Sequence, residues 1–197
     1  MTTVLLGYRS QIAQEFDLLA TTDEEAICGS FEFPELRASH YLICQGFISG
    51  KKITEQSSLE LQDSWNVNYV DIVKFLDLLF QMNSEARVCV IGSASGQTGS
   101  YDMAYAGAKA ALHLYIKTKK LSQWQQLVGI APSIIENAGM TIRRSDRHNL
   151  DLRKEQHPKR RFLQAIEVAR LAHFLLYQDE GYITGTVINM HGGEHSR

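Results

Sequence analysis

The chain has 197 residues, a formal net charge of −2 and a composition of 44% hydrophobic and 21% charged residues. This length suits one domain spanning residues 1–197, because domains commonly run to roughly 100–200 residues. The near-neutral charge and a pI of about 6.4 exclude a broadly basic surface and an acidic disordered chain, so no nucleic-acid partner is expected.

Short apolar segments alternate with longer helical patterns along the chain. The predicted strands lie at 3–7, 25–31, 40–46, 86–92, 126–132 and 185–190, and the predicted helices at about 10–20, 57–82, 100–122 and 163–178. The strands are nearly continuous in Val, Ile, Leu and Cys, which is typical of a sheet covered on both faces. The alternation predicts an α/β fold with one doubly wound parallel sheet.

The cysteines Cys28, Cys44 and Cys89 lie far apart in apolar segments, without any Cys-x-x-Cys pair. We expect buried free thiols on strands and no metal site. The N-terminal segment MTTVLLGYRSQ lacks a basic region, and no segment approaches the roughly 20 apolar residues that span a bilayer. A cytoplasmic protein without a membrane partner is therefore expected.

Residues that directly follow the strands are the candidates for a ligand site. In a doubly wound sheet, ligands bind beyond the carboxyl ends of the strands, where the strand order reverses. The residues in question are 7–13, Gly46, 92–96 and 132–137.

Tyr105 and Lys109 are the strongest catalytic candidates. They lie four residues apart in the helical pattern that follows the strand at 86–92, so both side chains project from one helix face. An ammonium close to a phenol lowers the phenol pKa, and such a tyrosine can act as general acid or base at a carbonyl or alcohol oxygen. Ser93, just past the strand end, is either a second contact to that oxygen or a cap of the next helix.

The Tyr-x-x-x-Lys spacing occurs a second time, at Tyr115 and Lys119. This pair lies farther along the same helical pattern, away from any strand end and without a serine-rich turn before it. We interpret it as a core-facing aromatic and a solvated lysine.

A series of motifs follows the same order as these elements. The motifs are GYRSQIA at 7–13, LICQG at 42–46, Asn68 in WNVNYV, VIGSASG at 90–96, YAGAK at 105–109, APSII at 131–135 and YITGTVINMHGG at 182–193. Together they resemble the short-chain dehydrogenase/reductase family. The resemblance implies a Rossmann-like sheet flanked by helices, and NAD(P)-dependent hydride transfer between the cofactor and a carbonyl or alcohol substrate.

The resemblance also implies roles for single residues. Ser93, Tyr105 and Lys109 match the catalytic serine, tyrosine and lysine, and Asn68 matches the asparagine that supports a proton relay through water to the lysine. The residues expected to bind the cofactor are Gly7, Arg9, Ser10, Gln11, Ile12, Gly46, Tyr105, Lys109, Pro132, Ile135 and Asn137.

The phosphate-binding turn departs from the family's pattern of three glycines. Only Gly7 remains, while Gln11 and Ala13 stand in place of the other two. The second glycine normally lets the backbone approach the pyrophosphate, so we expect the Gln11 side chain to weaken dinucleotide binding. Ser10 and Arg9 can add hydrogen bonds to a phosphate.

The adenosine-binding half is shortened. The segment from Gly7 to Tyr41 has room for about one βαβ unit of roughly 30 residues, so we expect one helix and one strand of the family's fold to be missing. Glu32 is the acidic candidate for NAD and Arg9 the basic candidate for the 2′-phosphate of NADP. We write NAD(P), with a lean to NADP because Arg9 lies in the turn itself.

Residues 141–161 contain eight Lys or Arg against three Asp or Glu. In the family this segment is the mobile substrate loop. Two interpretations stay open: the loop binds an anionic small-molecule substrate through Arg143, Arg144 and Arg147, or it is a solvated charged loop without a partner.

Three functions stay open at this point. The first is an oxidoreductase, the second a non-catalytic protein that acts as a cofactor sensor or partner subunit, and the third a lyase or epimerase. The family commonly pairs through two long helices, here 57–82 and 100–122, so we expect a homodimer or homotetramer with Trp65 and Tyr69 at or near the interface.

Overall fold

All six apolar segments predicted as strands form strands. The computed structural model describes residues 1–21, 23–32, 34–142 and 147–194. The strands are β1 (Thr2–Leu6), β2 (Glu25–Gly29), β3 (His40–Ile43), β4 (Arg87–Ile91), β5 (Gln126–Pro132) and β6 (Thr186–Met190). The helices are α1 (Gln11–Asp17), α2 (Ser58–Trp65), α3 (Asp71–Met82), α4 (Ser95–Thr98), α5 (Met103–Thr118), α6 (Gly139–Ile142), α7 (Arg147–Gln156) and α8 (Ala165–His173).

The strands form one parallel sheet in the order β2-β1-β3-β4-β5-β6. Helices α1 and α8 bury their apolar residues on one face, through side chains such as Phe16 and Val168. Helices α3 and α5 cover the other face, through side chains such as Leu76 and Ile116. The central strands are therefore buried on both sides, which confirms the doubly wound fold and explains their continuous apolar sequence.

The predicted helix at 57–82 is continuous but contains a wider turn. Ser57 caps α2 by accepting from Glu60 N–H, and a π-helical turn spans Asn66–Val70 before α3 begins. Such turns insert one extra residue and occur often at functional sites. This one contains the buried Asn68. No helix in the described ranges is long and apolar enough to cross a membrane.

The connection from β2 to β3 is short. Residues 30–32 and 34–39 form neither helix nor strand, and Phe31 packs on Phe75 of α3 with ring centroids 5.4 Å apart. β2 is consequently the edge strand. This corrects the prediction that all three cysteines are buried: Cys44 and Cys89 are, but Cys28 is exposed on the edge strand.

The basic stretch at 141–161 is not a loop throughout. Helix α7 occupies residues 147–156 within it and buries Leu150 against the fold. Arg143 and Arg144 lie outside the described residues, as does the side chain of Arg147. The expectation of a loop is therefore wrong for the segment 147–156.

Candidate active site

The turn between β1 and α1 contacts the end of β3, where the strand order reverses. Gly7 has φ 84°, and a Cβ atom there would lie 2.7 Å from Gln45 N. Ser10 caps α1 by accepting from Ile12 N–H at 3.2 Å. Its hydroxyl also contacts the thiol of Cys44, whose pKa burial raises to about 12. Gly7 is therefore required both by its backbone conformation and by this close approach.

Gly46 lies between two of the predicted catalytic side chains. A Cβ atom on Gly46 would lie 3.4 Å from Asn68 Oδ1 and 3.9 Å from Lys109 Nζ. Asn68 is fully buried: its Oδ1 accepts from Phe47 N–H, and its Nδ2 donates to Phe47 O and Ser64 O. Asn68 thus fixes the chain next to Gly46 through the Phe47 backbone.

Lys109 projects from α5 onto the end of β4. Its Nζ donates to the Ile91 carbonyl at 3.0 Å, and its side chain is almost completely buried. Burial lowers the pKa of Lys109 to about 8, with a smaller opposing effect of Cys44. The ammonium lies 6.0 Å from the ring centroid of Tyr105.

Tyr105 is buried beside Ser93. Burial raises the pKa of Tyr105 above its ordinary value, and the hydrogen bond with the Ser93 side chain offsets part of that effect. The expectation that Lys109 lowers this pKa is therefore wrong for this structure. The physical reason is that burial of the phenol has the largest effect on its pKa, while the Lys109 ammonium donates to the Ile91 carbonyl of β4.

Asp102 organises the start of α5, and the sequence reasoning missed it. Its carboxylate accepts from Tyr105 N–H at 3.0 Å, Gln56 Nε2 at 2.9 Å, Ser49 N–H at 2.9 Å and Gly50 N–H at 3.0 Å. It is both the N-cap of α5 and the anchor of the loop after β3. An aspartate three residues before Tyr105 is a recognisable N-cap signal.

His113 is a second residue that the sequence reasoning missed. It lies one turn after Lys109, and its Nε2 accepts from Ser93 N–H at 3.3 Å. The ring fills the space over Gly92 and Gly96, where Cβ atoms would lie 2.3 and 2.9 Å from it. Burial lowers its pKa to about 4, so the neutral ring acts as acceptor. Its spacing of four from Lys109 is the signal that could have revealed it.

The segment after β5 presents backbone groups towards this region. Ile135 forms an isolated parallel bridge with Leu163, in which Glu136 N–H donates to Leu163 O and Leu163 N–H donates to Ile134 O. In this pattern the Ile135 N–H and C=O point away from Leu163. Asn137 Oδ1 accepts from Ala165 N–H at 3.0 Å, at the first turn of α8.

Three residues that the sequence suggested for cofactor recognition lie apart from the buried catalytic side chains. Gln11 Nε2 donates to Glu15 Oε1 at 3.1 Å, so its side chain lies along α1. Arg9 is exposed in the turn, and Glu32 is exposed after the edge strand. Neither Arg9 nor Glu32 contacts the buried catalytic side chains.

The second Tyr-x-x-x-Lys pair is placed at the surface. Tyr115 OH donates to Asp77 Oδ1 at 2.7 Å, and Lys119 Nζ donates to the same oxygen. Both hydrogen bonds are exposed and join α5 to α3, while the Tyr115 side chain is partly buried and packs on the adjacent core cluster, in agreement with the prediction of a core-facing aromatic. The interpretation of this pair as non-catalytic is consistent with that position.

Comparison with known proteins identifies the family. The sequence profile of the enoyl-(acyl carrier protein) reductase family matches residues 40–195. The chain belongs to the short-chain dehydrogenase/reductase family. This short-chain dehydrogenase/reductase is 27% identical over 160 residues to acetoacetyl-CoA reductase of Allochromatium vinosum, covering 76% of this chain and 63% of that enzyme. The chain therefore spans less than two thirds of that relative's length.

Solved structures of other short-chain dehydrogenase/reductases share the fold. An actinorhodin polyketide ketoreductase variant solved with NADPH superposes with a TM-score of 0.83 at 13% identity, covering 100% of this chain and 97% of that chain. A glucose/ribitol dehydrogenase of this family from Brucella melitensis gives a TM-score of 0.83 at 16% identity, with the same coverage.

The residues present fit a nicotinamide cofactor at the catalytic end. A Cβ atom on Gly46 would lie 3.3 Å from Met140 Cε as well as close to Asn68 and Lys109, so the glycine leaves room for these three side chains. The Ile135 N–H makes no hydrogen bond within the described ranges. At the adenosine end the fit is reduced, because the short β2–β3 connection supplies no helix in its described part. The described residues contain no cluster of three or more metal-ligating side chains.

Proposed function

We propose that this protein is an NADP(H)-dependent reductase that converts a carbonyl group to an alcohol. The observation that carries the proposal is a chain of neighbouring side chains at the carboxyl ends of β3 and β4. Asn68 and Lys109 lie beside Gly46, Lys109 Nζ lies 6.0 Å from the Tyr105 ring centroid, and Tyr105 is hydrogen-bonded to Ser93. A buried phenol and a buried ammonium beside a glycine form a site that can donate a proton to a substrate of a nicotinamide cofactor.

Tyr105 is the proton donor in this proposal. Its raised pKa keeps the phenol protonated at neutral pH, which is the form needed to give a proton to a carbonyl oxygen. Ser93 holds that oxygen through its hydroxyl. When bound, the cofactor supplies the hydride that reaches the carbonyl carbon.

Lys109 and Asn68 return the proton to Tyr105. With a pKa of about 8, Lys109 exchanges a proton readily near neutral pH, and it also binds the nicotinamide ribose. Asn68 positions the adjoining backbone through three hydrogen bonds, and its Oδ1 retains a lone pair for water.

The cofactor contacts follow from the same geometry. Gly7, Ser10 and Ile12 lie in the turn that would approach the pyrophosphate, where the Ser10 and Ile12 N–H groups donate to Gly7 O and Ser10 Oγ. Ile135 would offer its N–H to the carboxamide, since its C=O accepts from Ala138 N–H at 3.3 Å. Arg9 is the one cation of the first turn and binds the 2′-phosphate, which favours NADP over NAD. Several structural neighbours are described with NADPH or NADP bound.

The substrate class follows from the curated relative. That enzyme is an acetoacetyl-CoA reductase, so a 3-oxoacyl thioester is the first substrate to test. Such a substrate is anionic, in agreement with the basic composition of residues 141–161. The anion-binding role of Arg143, Arg144 and Arg147 remains a prediction; replacing them with glutamine should raise KM for the thioester.

The test combines cofactor titration with a matched pair of variants. We expect NADPH to bind more tightly than NADH in calorimetry, and acetoacetyl-CoA to be reduced at the expense of NADPH. Tyr105→Phe should retain NADPH binding and lose about 10²–10⁴-fold in kcat. Tyr115→Phe removes the other tyrosine of the same motif spacing and should leave kcat unchanged. Equal kcat for the two variants would refute the assignment of Tyr105.

A second candidate is a non-catalytic cofactor sensor or partner subunit. Two features favour it, because both weaken the binding of a dinucleotide. Gln11 stands in place of a glycine in the turn after β1, and residues 30–32 and 34–39 between β2 and β3 contain no helix. NADPH binding without turnover of any carbonyl substrate would favour this candidate. Absence of binding for both NADPH and NADH at millimolar concentrations would refute the reductase proposal altogether.

The association state is a separate proposal. Trp65 is 41% exposed and packs edge-on against Tyr69 at a centroid distance of 6.2 Å, at the junction of α2 and α3. We expect a homodimer or homotetramer through this face, and sedimentation analysis of the wild type beside Trp65→Ser tests it. An unchanged oligomer in Trp65→Ser would place the interface elsewhere.

A further inference from the structure

A cavity lies at the edge of the sheet, apart from the catalytic side chains. It has a volume of about 210 Å³ and lies beyond the carboxyl ends of β5 and β6. Its polar lining consists of Ser133, His157, Lys159, Arg161, Glu167 and His191. His157, Lys159 and Arg161 belong to the basic segment 141–161, but none of the six side chains is among those named above for catalysis, cofactor binding or substrate binding.

His157 gives this cavity a buried donor without a partner. The residue is only 5% exposed, and its Nδ1 accepts from Lys159 N–H at 3.0 Å. The neutral ring therefore carries its proton on Nε2. That atom is buried and makes no hydrogen bond, since the carboxylate of Glu194 is 3.9 Å away. A buried N–H of this kind gains stability when a ligand supplies an acceptor.

Gly192 and the turn at 157–161 shape the wall around His157. Gly192 has φ 58°, and a Cβ atom there would lie 2.7 Å from His157 Cε1 and 3.0 Å from Lys159 Cγ. The glycine thus allows the backbone after β6 to approach both side chains. The arrangement is built from two segments that are distant in sequence.

The charges around the cavity leave one cation uncompensated. Arg161 donates two hydrogen bonds of 2.7 Å to Glu167, so these charges cancel. Glu194 is paired with Arg153 at 3.0 Å. Within the described ranges, the ammonium of Lys159 has neither an ion pair nor a hydrogen bond.

We propose that this cavity is an anion site that binds the phosphate group of a small metabolite. Lys159 supplies the charge, His157 Nε2–H one fixed donor, and Ser133 O–H another, which together suit the three terminal oxygens of a phosphate monoester. The volume of about 210 Å³ is several times the roughly 30 Å³ that one water occupies in the liquid, which leaves room for a phosphate group. The proposal goes beyond the reductase function and does not depend on it.

Phosphate binding is tested on the full chain without cofactor. We expect inorganic phosphate to bind with a Kd on the order of 1–10 mM by calorimetry at pH 7.5, against chloride of matched ionic strength. In ¹⁵N NMR spectra, the Nε2 signal of His157, assigned by its loss in His157→Gln, should shift on phosphate addition.

Two lysine variants make the test specific. Lys159→Gln should weaken phosphate binding by about tenfold. Lys120→Gln removes another exposed lysine and should not change it. Both lysines are exposed, so these two variants are expected to fold. They therefore still test the proposal if His157→Gln is unstable.

Three results would overturn the proposal. The first is that the wild type does not bind phosphate, and the second is that Lys159→Gln and Lys120→Gln lose the same amount of phosphate affinity. The third is that acetate binds more tightly than phosphate in a way that depends on Lys159. The outcome is separable from the reductase assay, because the measurement requires neither NADPH nor turnover.

Discussion

Replacing Asp102 with alanine should destabilise the protein and disturb the position of Tyr105. The carboxylate is 1% exposed and accepts four hydrogen bonds, one from Tyr105 N–H and three from the segment 49–56. Alanine removes the N-cap of α5 and the hydrogen bonds by which this carboxylate joins α5 to the segment 49–56.

The magnitude follows from the bonds that are lost. An N-cap is worth about 1 kcal/mol. The buried Gln56 amide loses one of its two acceptors, while Ser49 and Gly50 lie close enough to the surface to be rehydrated in part, so these bonds together contribute about 2 kcal/mol. The expected loss in free energy of unfolding is about 3 kcal/mol, or roughly 10 °C in Tm.

Urea unfolding followed by tryptophan fluorescence measures this loss. Asp102→Asn should fall between wild type and Asp102→Ala, because one amide oxygen can still cap Tyr105 N–H. Asp77→Ala is the matched control: Asp77 also accepts two side-chain hydrogen bonds, but it is exposed, so the cost should be below about 1 kcal/mol. A loss below about 1 kcal/mol in Asp102→Ala would contradict the reasoning.

Three further predictions concern buried or constrained residues. Burial lowers the pKa of Lys109 from 10.5 to about 8, so between these pH values the unfolded chain binds more protons than the folded chain. The free energy of unfolding should therefore rise with pH in this range, as measured by urea unfolding at pH 7 to 10. Lys109→Met should remove this rise, and the control Lys119→Met should not. Gly7 and Gly50 both have a left-handed backbone conformation, which costs a residue with a Cβ atom about 1–2 kcal/mol. Gly50→Ala should lower the free energy of unfolding by that amount, because its Cβ would lie in open space. Gly7→Ala should lower it by more, because its Cβ would also meet the backbone of Cys44 and Gln45. Burial lowers the pKa of His113 from 6.5 to about 4, so stability that is present above pH 6.5 should be lost as the pH falls towards 4. Urea unfolding of wild type and His113→Leu at pH 7 and at pH 5 measures this effect. The decrease in free energy of unfolding from pH 7 to pH 5 should be smaller in His113→Leu.

Local sequence patterns were sufficient for the strands and the principal helices. Each strand lies within one residue of its predicted segment or inside it, because a strand buried on both faces must be apolar throughout. Helix α7 was missed because its sequence is charged on most sides and Leu150 is its one buried apolar residue.

The edge position of β2 could not be read from its sequence. The segment EAICGSF is as apolar as its neighbours, and this predicted a buried Cys28. The cysteine is exposed because the connection to β3 is too short to add another strand beside it. Only the order of strands in the sheet decides this.

The sequence alone determined the fold class and the family, because each depends on patterns within a few residues or on motif order. The choice of Tyr105 over Tyr115 as the catalytic tyrosine stays a prediction from the same patterns. The tertiary structure decided the partners of the polar groups: Lys109 on Ile91 O, His113 on Ser93 N–H and Asp102 on the loop at 49–56. It also created the cavity beside His157. Hydrogen bonds depend on distances of a few tenths of an ångström between segments far apart in the chain, and no local pattern encodes those distances.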